Sequence, residues 1–131
     1  MFLSQLSPEQ KNSFLALATR MVLADGTVEP EENERLNAIR DELGPGVKAP
    51  PEEVFGTTNP APFDTRRSRL VVLWELMVMG FADDRFHPDE SAVLNEVCRA
   101  YRITWEEREH IEALAKIEAR LLREGFAFIG G

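Results

Sequence analysis

The chain is poor in the residues from which most enzymes and metal cages are built. It has one cysteine and two histidines in 131 residues. Cys98 alone excludes an intrachain disulfide framework and a cysteine-built zinc cage. His87 and His110 stand 23 residues apart without an H-E-x-x-H spacing, so the helix-borne zinc-hydrolase arrangement is excluded too. There is no G-x-S-x-G elbow, phosphate loop or G-x-G-x-x-G fingerprint, and no enzymatic activity is expected. The most apolar stretch, residues 70–82, is short and contains Glu75, whereas a membrane span needs about 20 apolar residues. The opening MFLSQLSPEQ has neither a basic region nor an apolar run of the secretory type, and a cytoplasmic location is expected. Basic residues are also scarce, 15 against 23 acidic ones, for a net charge of −8. Such a field repels nucleic-acid phosphates and anionic headgroups, so a general nucleic-acid binder is excluded. Most of the acidic excess lies in residues 1–65, with 5 basic and 11 acidic side chains against 10 and 12 in the remainder.

What is present is helical signal throughout a length suited to one domain, 1–131. Ser7, Pro8 and Gln10 place a hydroxyl at an N-cap, proline at the first helical position and an amide at the third. They open a helix from Pro8 to about Ala24 with Phe14, Leu17, Ala18 and Met21 on one face. Glu29 to Glu32 open a second, with Leu36, Ile39 and Leu43 inward and a stop at Gly44 and Pro45. Residues 45–64, with Pro45, Pro50, Pro51, Pro60 and Pro62, read as a long connection holding one short turn of helix at residues 51–55. A helix over about 65–82 is apolar nearly all round and is expected at the centre. His87 to Glu90 open the next, with Val93, Leu94, Val97, Cys98 and Tyr101 inward. Thr104 and Glu107 cap a last helix over about 105–124, with Ile111, Leu114, Ile117 and Leu121 as its expected stripe. The tail GFAFIGG is expected to fold back onto the bundle.

The chain also repeats. A shift of 58 sets ADGTVEPEENERLNAIRDEL, from Ala24, against ADDRFHPDESAVLNEVCRAY, from Ala82. Ala24, Asp25, Pro30, Glu32, Leu36 and Asn37 match Ala82, Asp83, Pro88, Glu90, Leu94 and Asn95. Units over about 8–44 and 65–102 are therefore each a helix, an acidic loop and a second helix. The expected fold is all-α, a compact helical bundle of two helix-loop-helix units about a pseudo-twofold. An apolar helix ending in A-D-G, then a β-branched residue and a proline-capped P-E-E helix, resembles the tellurite-resistance protein B (TerB)-like family over roughly residues 7–122. The resemblance implies an all-helical bundle with two symmetry-related acidic loops, a place in bacterial stress systems, no established enzymatic activity and a metal at the loops.

Asp25, Glu29 and Glu32 in the first loop, and Asp83, Asp84, His87 and Glu90 in the second, are the candidate ligands, with calcium or magnesium as the oxygen-seeking cation. The EF-hand pattern is excluded, because counting from Asp25 puts Pro30 at position six and Leu36 at twelve, and the second loop fails in the same way. A competing reading makes these carboxylates caps, Glu32 bonding back to the Glu29 amide and Asp25 to amides of its own turn. Arg66, Arg67 and Arg69 form the one dense basic cluster and are expected to make local ion pairs. Trp74, Trp105, Phe126 and Phe128 offer an interaction surface, against the usual reading of such aromatics as core. Three functions stay open: an adaptor or sensor with a cation at its paired loops, a metal-independent protein-interaction module with an apolar contact face, and an enzyme using loop carboxylates around a metal. Protein partners are expected, with a homodimer among the arrangements open to the chain.

Overall fold

The computed structural model describes residues 2–24, 30–81 and 88–130; the side chains of Glu31 and Glu32 also lie outside the description. Among the described residues the fold is all-helical. After a 3-10 turn at Leu3–Gln5 come α1 (Pro8–Leu23), α2 (Pro30–Leu43), the short α3 (Pro51–Val54), α4 (Arg66–Gly80), α5 (Pro88–Ala100) and α6 (Trp105–Gly130). The ends form where the local chemistry directs them. Ser7 Oγ accepts from the Gln10 amide at 3.2 Å while the Gln10 side chain accepts from the Ser7 amide at 2.9 Å. Thr104 and Glu107 repeat that reciprocal box at the start of α6, and Thr65 caps α4 through the Ser68 amide. Each such cap stabilises its helix by about 1 kcal/mol. Gly44 ends α2 with φ of +96°, the left-handed conformation that closes helices and that glycine adopts without cost.

The apolar α4 sits among α1, α2, α5 and α6, and α1 in turn packs on α2, α3 and α5. Phe14, Leu17, Ala18 and Met21 of α1, Leu36, Ile39 and Leu43 of α2, and Val93, Leu94, Val97 and Cys98 of α5 with the following Tyr101 are all buried, as their spacing predicts. Residues 45–64 wrap over α1 and are fastened by Arg20. Its guanidinium donates to the Glu53 carbonyl at 2.8 Å, the Thr58 hydroxyl at 3.0 Å and the Glu96 carboxylate at 3.1 Å, tying α1 and the proline-rich connection to α5.

Two expectations about α6 fail. Its inward stripe is Ile111, Ala115 and Ala119, with the small alanines set against the bundle; Ile117 and Leu121 are 64% and 67% exposed. Both sets recur at helical spacing, so the sequence offers two apolar stripes, and the bundle takes the one whose small side chains permit close approach. The helix also continues to Gly130, six residues beyond its expected end at 124, so the tail does not fold back. Phe126, Phe128 and Ile129 stand 68%, 90% and 86% exposed.

Candidate functional site

Of the candidate cation ligands, Asp25, Glu29, Asp83, Asp84 and His87 lie outside the described residues, as does the side chain of Glu32. Glu90 is described: it occupies the first turn of α5 and is 2% exposed. Among the described residues no three His, Cys, Asp or Glu side chains gather as a metal cage.

The bundle buries a second carboxylate, which the sequence shows only as an interruption of an apolar run. Glu75, in the middle of α4, is fully enclosed, and Arg35 reaches it from α2 with Nη2 3.5 Å from Oε2. Burial pushes the Glu75 carboxyl above the ordinary carboxylate range; positive charge, that of the chain's amino terminus first and of Arg35 second, opposes the shift, and Glu118 adds to it. The adjacent Trp74 donates its indole N–H to Glu118 at 2.7 Å, tying α4 to α6, and meets Phe2 edge to face with centroids 5.7 Å apart. Glu96 has the opposite balance. Burial disfavours its charge, but hydrogen bonds from Thr58, the amide at 2.6 Å among them, and the charge of Arg20 outweigh this and hold the carboxyl below its usual range. The cavity beside this Arg20 network holds only about 10 Å³, and the network ties α1 and the proline-rich connection to α5. Its sequence signal was a single arginine at the end of an apolar helix, too slight to be read alone.

The arginine cluster is engaged within the chain, but not by the local ion pairs expected of all three. Arg66 pairs with Glu107, Arg67 donates to the Gln5 side chain at 2.8 and 3.0 Å, and Arg69 donates to the Phe63 and Tyr101 carbonyls at 2.6 and 3.3 Å. Cys98 is buried, and burial pushes its thiol upward, so it is a packing residue of low reactivity. His110 lies exposed on α6.

The feature with the shape of a binding surface is α6. Ile117, Leu121 and Phe128 recur four and seven residues apart and form an outward apolar seam. Toward the N-terminal end of α6 the same face continues through Leu114 to His110. There it adjoins a trough of about 480 Å³ whose apolar walls are Leu70, Trp74, Ile111 and Leu114, with Arg66 and Arg67 at the rim. On the opposite side Leu122 and Phe126 join Ala38 and Val78 along a groove of about 280 Å³ between α2, α4 and α6. The far end of the helix is thus apolar on both flanks. Comparison with family models, curated proteins and solved structures returns no match for this chain. Among the described residues no helix is long and apolar enough to cross a membrane.

Proposed function

We propose that this chain is a non-enzymatic helical adaptor of the TerB-like kind whose working surface is the projecting end of α6. One observation carries the reading: five large apolar side chains, Ile117, Leu121, Phe126, Phe128 and Ile129, are 64–90% exposed on one helix. Apolar exposure of that extent on both flanks of one helix end marks an interaction site, because leaving it in water forgoes the hydrophobic gain that drives association. The test is a photo-crosslinking amino acid in place of Phe128, with the same group in place of the exposed Asp41 of α2 as control. Covalent protein adducts formed in the producing cell at position 128, and lost when Leu121→Glu is added, are the expected result. A position 128 that captures no more protein than position 41 overturns the reading.

A cation at the paired acidic loops is a second reading, favoured by the burial of Glu90 at the position where the repeat assigns a ligand. The two loop units, with their pseudo-twofold and a role in stress response, belong to this proposal. A cation at 100 times its dissociation constant adds about 2.7 kcal/mol of stability. Melting of chelator-treated protein should therefore rise by several degrees with calcium or magnesium, and the Asp25→Asn, Asp83→Asn double variant should show no rise. An unmoved parent curve removes the cation and leaves the α6 reading untouched.

A further inference from the structure

We infer that the trough between α4 and the N-terminal half of α6 is a binding site for a single-chain carboxylate of medium length, an amphiphile of the fatty-acid kind. The site stands apart from the adaptor reading, whose surface is the other end of α6. Two cross-links fix how the trough runs. Arg66 pairs with Glu107, and eight residues later Trp74 bonds to Glu118, so α4 and α6 run in the same direction and the trough lies along both. The buried Val71 and Ile111 and the half-buried Leu70 and Leu114 line it. Arg66 and Arg67 stand at its start, and the edge-to-face pair of Phe2 and Trp74 stands at its far end, about 12 Å along α4 at 1.5 Å per residue. An extended acyl chain of medium length spans that distance. The volume of about 480 Å³ lies within the range of small-molecule sites, about 300–1,000 Å³.

Three features select the occupant. The first is the chemistry of the walls. Between its ends the trough offers one polar group, the Trp74 indole N–H, and Glu118 already accepts from it at 2.7 Å. Any polar group laid against these walls loses its hydrogen bonds to water without replacement, so the part of the occupant that lies there is hydrocarbon. The second is the sign of the rim. Among the described residues no acidic side chain lines the trough, although the chain holds 23 of them, whereas Arg66, Arg67 and His110 all do. Glu107 answers the Arg66 charge. Arg67 is different, because its Nε and Nη2 donate only to the neutral side-chain oxygen of Gln5, which leaves its charge and its Nη1 hydrogens open to an anion. The third is the number of charges. One unanswered guanidinium matches one negative charge, and the net charge of −8 disfavours a more highly charged head group or an anionic membrane surface. A carboxylate on a hydrocarbon chain meets all three conditions, with its oxygens on the planar Arg67 edge and its tail toward Phe2 and Trp74.

The experiment is titration of the full chain with decanoate, decanol and decyltrimethylammonium, each below micelle formation, followed by tryptophan emission. The chain carries Trp105→Phe, so that Trp74 is its sole tryptophan. Trp105 is 67% exposed and lies outside the trough, and its replacement should leave the far-ultraviolet helical signal unchanged. The expected result is saturable one-to-one binding of decanoate with a blue shift of Trp74. Decanol and the ammonium should bind roughly tenfold more weakly or worse, the factor that a hydrogen bond to a charged group supplies. Arg67→Gln, at an exposed position, should bring decanoate down to the level of decanol and leave decanol itself unchanged. Leu114→Gln should weaken both. Decanol as tight as decanoate, or decanoate indifferent to Arg67→Gln, overturns the carboxylate as head group. Decanoate binding that leaves Trp74 emission unmoved or ignores Leu114→Gln overturns the trough as the site. A parent chain without saturable decanoate binding overturns the inference altogether. The adaptor reading is decided separately, by capture at position 128.

Discussion

Removing the Arg35 cation should expose the cost of enclosing Glu75. The two charges are 3.5 Å apart, Glu75 is fully buried and Arg35 is 15% exposed. At an effective dielectric of about 20 the attraction is about 5 kcal/mol, and breaking a buried pair from one side typically costs about 3–5 kcal/mol. Arg35 still reaches solvent and is not the sole group that favours the Glu75 charge, so the expected loss for Arg35→Met at neutral pH is about 1–3 kcal/mol. For a domain of this size that is a fall in melting temperature of up to roughly 10 °C. The pH dependence gives the sharper test. Because the folded Glu75 carboxyl lies above its unfolded value of 4.5, the native state holds this proton more tightly than the unfolded chain. Its contribution is therefore fully present below pH 4.5 and is lost as pH rises through the folded value. Once Glu75 is neutral it no longer needs the cation, so the penalty of Arg35→Met should shrink as pH falls through the folded value. The double variant Arg35→Met, Glu75→Leu should recover most of the loss at neutral pH. Thermal melts of the four proteins at about pH 7 and at about pH 4, below the unfolded value of 4.5, measure all of this. A penalty below about 1 kcal/mol at neutral pH, or one equal at both pH values, would refute the reasoning.

Glu96 should contribute with the opposite sign. Its carboxyl is held below the ordinary range, so its stabilising contribution is present above the unfolded value and is lost as pH falls through the folded one; Glu96→Gln should flatten the acid limb of the stability curve. The Tyr101 hydroxyl is buried without a hydrogen-bond partner among the described residues. Tyr101→Phe should accordingly leave stability unchanged or raise it by up to about 1 kcal/mol in denaturant titration, and a loss above about 1 kcal/mol would contradict the assignment. The buried Cys98 thiol should react with a chromogenic disulfide reagent only at the rate of opening, and fully once the chain is unfolded; fast reaction of the native protein would contradict its burial.

The parts of this fold that could be read from the chain are those governed by one local rule. The Ser7–Gln10 box, the Thr104–Glu107 box and the Gly44 stop each depend on a few adjacent residues, and each lies where the spacing put it. The core faces of α1, α2 and α5 were legible because each has a single apolar stripe, so only one orientation buries it. Glu75 was visible as an oddity, but its partner Arg35 is forty residues away and no local pattern links them. Arg20 is harder still. Its partners in the proline-rich connection and in α5 come together only through the fold, and its role lies in that convergence.

The α6 face was half legible, for a reason that bears on what it does. Ile117 and Leu121 have the spacing of core residues, and in a helix with one apolar stripe they would have been core. Here Ile111, Ala115 and Ala119 already fill the contact with the bundle. A second stripe of larger side chains is then redundant for monomer stability and costly to leave in water. Replacing Ile117 and Leu121 together by glutamine should therefore change monomer melting by less than about 0.5 kcal/mol per site, the usual range for surface substitutions. The same replacement should abolish capture of protein at position 128. If it instead unfolds the monomer, the seam belongs to the core and its proposed role as an interface fails.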